Sequence, residues 1–375
     1  MTNPYNLSTV RAGRSQWPNR LQHKLRSFKS LMALFLVGLG MSGAIAACSP
    51  SPQDTTGSTA KQPDVELTLV SFAVTKSGYS RVIPKFTEKW KQEHNQNVTF
   101  NQSYGGSGSQ TRAVVDGLEA DIVHLALALD TDKIVKAGLI EPGWANKSPN
   151  QSIVTKSVAA LVTREGNPKE IKNWSDLAKP DIKVITADPK TSGVARWNFL
   201  ALWGSVVKTG GNAAKAQEFV TQVYGNVPIL TRDAREASDV FFKQGQGDAL
   251  INYENEILLA AEEGKPLPYT IPEVNISIDN PIAVVDQNVD KHKTRQVAEA
   301  FVQYLFTPEA QQEFAQVGFR PVDPTVAKAP EFVKKFPAVK TLFTADQLGG
   351  WTEIQKQFFA DGALFDQIQA GIRKA

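Results

Sequence analysis

The chain has 375 residues, of which 42% are hydrophobic and 21% charged, as in a soluble globular protein with room for two domains. Six of its 41 basic side chains and none of its 38 acidic ones lie in the first 47 residues. Removing that leader changes the net charge from +3 to −3. This mildly acidic charge balance, without basic clusters, argues against nucleic-acid binding. If the protein binds an anion, hydrogen-bond donors at the site must hold it.

The first 47 residues have the features of a secretory signal peptide: a basic start, an apolar run from Leu31 to Ala47, and small residues at its end. The run is shorter than the roughly 20 residues of a membrane span. The only cysteine, Cys48, follows Ile45-Ala46-Ala47, which resembles a bacterial lipoprotein lipobox. The alternative is an ordinary signal cut near Ala47. We predict a lipid-anchored flexible linker over 48–64 and no intrachain disulfide.

Strands and helices are predicted to alternate from Val65 onward, which favours an α/β protein with parallel sheets. The first strand is predicted at 65–72, followed by an amphipathic helix at 79–94, a strand at 97–103, a helix from about Gln110 and a buried strand at 121–129. Later strands are predicted at 158–163, 183–186, 227–231, 248–252 and 281–286. Helices then follow at 295–306, 308–316 and 352–370. We predict lobe I over 65–152 plus 283–375, and lobe II over 153–282, joined by a two-segment hinge.

Three strand–loop–helix junctions carry small residues that suit anion binding. The loop 103–109 is rich in glycine and serine, and Ser192-Gly193-Val194 lies before a helix at about 193–208. A third helix begins near Ala234. Helix N-termini present free N–H groups, and ligands bind at the carboxyl ends of strands in open α/β sheets. Taken alone, the loop 103–109 is equally typical of a surface turn, and Ser192 of a helix cap.

The other candidate residues favour structural roles. The four histidines show no metal-ligand spacing, so we predict no metal and no cofactor. Glu254 and Glu256 are expected on a solvated helix face. Trp174, Trp197 and Trp203 are expected in packed interiors.

Several ordered motifs between about Val65 and Ile368 resemble the periplasmic sulfate-binding proteins of ABC importers. They are Ser103-Tyr104-Gly105-Gly106-Ser107-Gly108, Gly117-Leu118-Glu119-Ala120-Asp121, Asn167-Pro168-Lys169, Pro189-Lys190-Thr191-Ser192-Gly193 with Ala195-Arg196-Trp197-Asn198, Glu254-Asn255-Glu256, and Gly349-Gly350-Trp351-Thr352. The resemblance implies a type II periplasmic-binding-protein fold, with sulfate enclosed between two lobes. It implies no enzymatic activity, a monomer, and a membrane permease as partner.

The same resemblance implies seven uncharged sulfate donors. They are the Ala73 N–H, the Ser107 hydroxyl, Ser192, the amides of Gly193, Val194 and Ala234, and the side chain of Tyr253. Four positions depart from the family pattern: Ala73 replaces Asp, Val194 replaces Gly, Tyr253 replaces Trp, and Asp233 replaces Gly. We expect Asp233 to turn away from the anion as a helix cap.

A site built only of donors favours sulfate over phosphate, because phosphate retains a proton that needs an acceptor. Three alternatives remain open from the sequence. In the first, the same fold binds thiosulfate, molybdate or phosphate. In the second, the chain is a hydrolase that uses Ser107 or Ser192. In the third, it is a ligand-free adhesion or scaffold lipoprotein.

Overall fold

The computed structural model describes residues 62–374, so the predicted leader, Cys48 and most of the linker lie outside the described residues. Within that range the strands are β1 (Val65–Phe72), β2 (Val98–Gly105), β3 (Ile122–His124), β4 (Ile153–Ser157), β5 (Ala159–Thr163), β6 (Val184–Ala187), β7 (Leu230–Thr231), β8 (Ala249–Tyr253), β9 (Tyr269–Thr270), β10 (Val274–Ile276), β11 (Ile278–Val284) and β12 (Thr341–Phe343).

The α-helices in the same range are α1 (Lys76–His94), α2 (Ser107–Val115), α3 (Ala128–Lys136), α4 (Gly193–Val207), α5 (Ala213–Gly225), α6 (Ala234–Ser238), α7 (Glu254–Glu262), α8 (Asp286–His292), α9 (Arg295–Tyr304), α10 (Pro308–Gln316), α11 (Pro324–Ala327), α12 (Pro330–Lys335), α13 (Gly350–Ile354) and α14 (Leu364–Ile372). A 3₁₀ turn at Ala73–Thr75 precedes α1, and a π-helical segment at Asp239–Lys243 continues α6.

Two five-stranded sheets form the two lobes of this α/β fold. The first has the strand order β2-β1-β3-β11-β4, and the second β7-β6-β8-β5-β9. The sheets are mixed and not parallel as predicted, because β11 runs antiparallel to β3 and β4, and β5 antiparallel to β8. Strand β11 returns the chain from the second lobe to the first, and β5 is the first strand after the chain enters the second lobe.

The runs predicted as strands are buried because helices cover both faces of each sheet. On one face of the first sheet, Val70 and Val123 pack with Ile134 of α3. On one face of the second, Val162 and Leu250 pack with Phe241. The three tryptophans expected in packed interiors, Trp174, Trp197 and Trp203, are buried.

The predicted lobe boundary is corrected at the C-terminus. Phe358 packs on Phe199 of α4, and Phe365 packs on Tyr224 of α5. Strand β12 pairs with β10 beside α4. Residues 341–374 therefore belong with the second lobe, and a third chain connection joins the lobes between α12 and β12.

The helix predicted at 352–370 is also corrected, because it is broken at residues 360–363. Gly362 has a φ of +73°, and its N–H donates to Asp366 near the start of α14. The break lets the phenylalanines on either side face the same helices of the second lobe. None of the helices in residues 62–374 has the length and apolar character of a membrane span.

Candidate functional site

All seven residues predicted to bind the anion line one small cavity between the lobes. Its empty volume is about 180 Å³. Ser107, on the first lobe, and Tyr253, on the second, are each only 1% exposed. Phe72, Gly106 and Ala126 complete the first-lobe wall. The lobes are therefore closed over the cavity. A larger groove of about 1190 Å³ lies beside Trp174 and Phe219 on the second lobe, and none of the seven residues lines it.

The cavity lies where several helices begin. Ala73, Ser107, Gly193 and Ala234 are each the first residue of a helical segment, and Tyr253 directly precedes α7. First-turn N–H groups have no acceptor within their own helix, and helix dipoles place partial positive charge there. Backbone groups from both lobes thus make the wall electropositive without a cationic side chain.

Two hydroxyls on this wall make no hydrogen bond within residues 62–374. Ser192 occupies the cap position of α4, but its side chain makes no capping bond. The Tyr253 hydroxyl is buried and has no partner in residues 62–374. Burial raises the pKa of Tyr253 well above its usual value, so the hydroxyl keeps its proton. Because an unpaired buried hydroxyl costs about 1–3 kcal/mol, the buried Tyr253 hydroxyl is suited to donate to a bound acceptor, and the Ser192 hydroxyl is free to donate beside it.

Ser107 differs from its predicted role. Its hydroxyl donates to Asp130 Oδ2 at 2.7 Å and accepts from the Ala126 N–H at 3.0 Å. Burial opposes ionisation of Asp130, but Arg196, Lys133 and this hydrogen bond together hold its pKa below the usual value. The carboxylate therefore accepts the single hydroxyl proton, and the first-turn N–H of Ser107 remains as a group without an acceptor in its own helix.

The charged pair beneath the cavity joins the two lobes. Arg196 of α4 donates to Asp130 of α3 at 2.9 Å, and both side chains are at most 5% exposed. The Trp197 indole N–H donates to the Ala126 carbonyl at 2.8 Å, also across the lobes. Lys133 also pairs with Asp130, at 3.0 Å, so one buried carboxylate is held between two cations.

Asp233 caps a helix as expected, although it also lines the cavity. Its Oδ1 accepts the Glu236 N–H at 2.9 Å and so caps α6. The acidic replacement beside Ala234 is thereby used for helix capping, which explains how it lines the wall without offering a free acceptor at that oxygen.

The expectation of a solvated face at Glu254 and Glu256 is wrong. Glu254 is buried and pairs through both oxygens with Arg320, at 2.7 and 2.9 Å. Glu256 is buried against Arg235 and Ser238, at 2.9 and 2.8 Å. Burial raises the pKa of Glu256 to about 7. Both carboxylates hold α7 against its neighbours.

Asn252 is a positioning residue that the sequence analysis missed. Its Nδ2 donates to the Ala234 carbonyl at 2.8 Å, and its Oδ1 accepts the Tyr253 N–H at 2.8 Å. One amide therefore ties together two predicted donor residues, Ala234 at the start of α6 and Tyr253 at the end of β8. The signal was a polar side chain at the end of a predicted strand, directly before Tyr253.

Two glycines allow the lobes to meet at the cavity. A Cβ on Gly193 would lie 2.3 Å from the Cβ of Ala126, and a Cβ on Gly106 would lie 2.6 Å from the Thr191 carbonyl oxygen. The Gly108 N–H also donates to that carbonyl at 3.1 Å. Beside the cavity the two lobes therefore meet through their backbones, with no room for side chains at these glycines.

The described residues contain no cluster of His, Cys, Asp or Glu arranged to hold a metal ion. His124, which is buried, bonds to the hydroxyls of Tyr79 and Thr155 and to neither cavity serine.

Comparisons with known proteins agree with this geometry. The family model for bacterial extracellular solute-binding proteins matches residues 72–320. A protein of Synechococcus elongatus named sulfate-binding protein is 58% identical over 328 residues, covering 88% of this chain and 93% of its own. A thiosulfate-binding protein of Pseudomonas aeruginosa is 36% identical over 339 residues, covering 90% and 97%. The solved sulfate-binding protein SubI of Mycobacterium tuberculosis H37Rv is similar with a TM-score of 0.72 and 39% identity, covering 79% of this chain and 100% of its own.

Proposed function

The chain belongs to the bacterial extracellular solute-binding proteins, and we propose that it binds sulfate between its lobes and delivers it to the membrane permease of an ABC transporter. The observation that carries the proposal is the pair of unpartnered hydroxyls, Ser192 and Tyr253, in a closed cavity ringed by helix N-termini. Only a ligand rich in acceptors satisfies them together.

The proposed donor set has seven members and keeps the predicted residues. Ala73, Ser107, Gly193, Val194 and Ala234 donate through first-turn N–H groups, and Ser192 and Tyr253 through their hydroxyls. The change from the predicted set is at Ser107, whose hydroxyl is bonded to Asp130. Fixed dipoles of this kind replace the hydration shell of a dianion without rearranging when it binds.

The wall favours a fully deprotonated oxyanion. Sulfate accepts at every oxygen, whereas phosphate brings a proton that needs an acceptor. Asp233 is the acidic residue on the wall, and one of its oxygens is used for capping. A phosphate proton left unpaired costs about 1–3 kcal/mol, or roughly ten- to a hundredfold in affinity.

Calorimetry on the purified protein tests the proposal. We expect one sulfate per chain, with phosphate binding at least tenfold more weakly. Phosphate binding as tightly as sulfate would contradict a donor-only site and would assign an acceptor role to Asp233 or Tyr253.

Thiosulfate is the second candidate ligand. It is supported by the relative named thiosulfate-binding protein, which aligns over nearly the whole of both chains. The space between the residues that line the cavity is small, so thiosulfate, with its longer S–S bond, tests the fit. Competition between sulfate and thiosulfate in the same titration decides which ion the cavity prefers.

We also propose export, with tethering through an acylated Cys48, and no catalytic activity. Neither Ser107 nor Ser192 hydrogen-bonds to a histidine in residues 62–374. The carboxylate bonded to Ser107, Asp130, has its pKa lowered by Arg196 and Lys133, which makes it a weak base for activating a serine nucleophile. Membrane fractionation tests the anchor: Cys48→Ala is expected to release the protein from the membrane. Turnover of sulfate or phosphate esters by the purified protein would overturn the non-enzyme assignment.

A further inference from the structure

A second space, which we call the vestibule, adjoins the anion cavity. It has an open volume of about 1120 Å³ and shares Ala73 and Asp233 with the cavity wall. Its first-lobe side carries Lys76 and Tyr104, and its second-lobe side is the outer face of α6 and the following π-helical segment. An anion moving between solvent and the cavity on this side passes through the vestibule when the lobes part.

The cations of the vestibule are not equivalent. Arg232 lies 3.4 Å from Glu236, Lys243 lies 2.7 Å from Asp239, and Arg235 pairs with buried Glu256. Each of these three cations therefore has a carboxyl partner. Lys76 is exposed and makes no ion pair within the described part of the chain.

We propose that the vestibule is the capture site for the oxyanion and that Lys76 sets the association rate. This inference rests on the proposed function. With the leader removed, the chain has a net charge of −3, which repels a dianion at long range. At physiological ionic strength, screening limits interactions to about 8 Å, so a local unpaired cation has more effect on the approaching anion than the distant net charge.

Lys76 acts on capture and not on retention. It lines the vestibule but not the closed cavity, so its charge is outside the donor shell once the lobes close. A charge at a rim changes the association rate, whereas groups inside the buried site change the dissociation rate.

Stopped-flow tryptophan fluorescence measures both rates, because Trp197 bonds across the lobes beside the cavity. For Lys76→Gln we expect the sulfate association rate constant to fall about two- to fivefold at low ionic strength, with the loss shrinking in high salt. The dissociation rate constant should not change, and Lys76→Arg should restore capture.

Lys334→Gln is the matched control. Lys334 is exposed on α12, makes no ion pair in residues 62–374, and does not line the vestibule. Both substitutions change the net charge by one unit. Equal association rates for Lys76→Gln and Lys334→Gln, at any ionic strength, overturn the capture role while leaving sulfate binding intact. Absence of saturable sulfate binding by the wild type overturns the proposed function and the capture role with it.

Discussion

Replacing Gly106 with alanine tests whether the lobes must touch for the anion to be held. Gly106 has a φ of −60° and a ψ of 134°, which alanine adopts without strain. The added Cβ would lie 2.6 Å from the Thr191 carbonyl oxygen and 3.0 Å from that of Arg232, both on the other lobe. Ordinary contact begins near 3.4 Å, so the lobes must separate here by about 0.8 Å.

That separation breaks the Gly108 to Thr191 hydrogen bond, now 3.1 Å long, and stretches the bonds from the second lobe to the anion. Losing about two hydrogen bonds costs roughly 2–3 kcal/mol, or about 30- to 150-fold in sulfate affinity. Calorimetry measures this loss, and small-angle scattering with sulfate should report a more open particle.

Gly105→Ala is the control for this experiment. Its Cβ would lie 3.4 Å from the Gln110 side chain of its own lobe, which is ordinary contact. We expect near-normal sulfate affinity and an unchanged melting temperature without ligand for Gly105→Ala. Sulfate affinity equal to wild type in Gly106→Ala would refute the argument that closure depends on this backbone contact.

Three further substitutions separate the roles of groups around the cavity. Tyr253→Phe should weaken sulfate binding about ten- to a hundredfold without lowering the ligand-free melting temperature, because its hydroxyl has no protein partner; unchanged affinity would remove it from the donor set. Ser107→Ala should instead lower ligand-free stability by about 1–3 kcal/mol, since it removes a hydrogen bond to buried Asp130; a melt equal to wild type would contradict this. Burial raises the pKa of Glu256 to about 7, so folding favours its protonated form. Its contribution to the free energy of unfolding is therefore fully present below about pH 4.5 and is lost as the pH rises through 7. Glu256→Gln should flatten the dependence of melting temperature on pH between 5 and 8, and an unaltered slope would refute the assignment.

The junction residues were predictable because their signals are local. Small residues between a strand and a helix indicate an exposed helix N-terminus, and parallel neighbours bring such ends together. The predicted residues that lie at such junctions accordingly line one cavity: Ser107, Ser192, Gly193, Val194 and Ala234. Ala73 and Tyr253 line it too, but only the family resemblance implied them. The break at 360–363 also had a local signal, the Asp361-Gly362 pair, which the long helix prediction overrode.

The partners of those residues were not predictable from local pattern. Asp130 and Arg196 are 66 residues apart and lie on different lobes, so only the closed fold shows that the Ser107 proton is taken by a carboxylate. Glu256 has the spacing of a surface residue, yet Arg235 and Ser238 cover it. The first contact depends on how the two lobes meet, and the second on how α6 packs against α7 within one lobe, so no single segment encodes either.

The three connections between the lobes limit how the molecule can move. They lie side by side, because the Asn275 side chain bonds both backbone groups of Ala159, and the Ser277 N–H bonds the Phe343 carbonyl. A narrow strip of three joined backbones bends easily about one axis and resists twisting about the others. The lobes therefore open and close about essentially one axis. Little entropy is then lost when a bound ligand fixes the orientation of one lobe relative to the other.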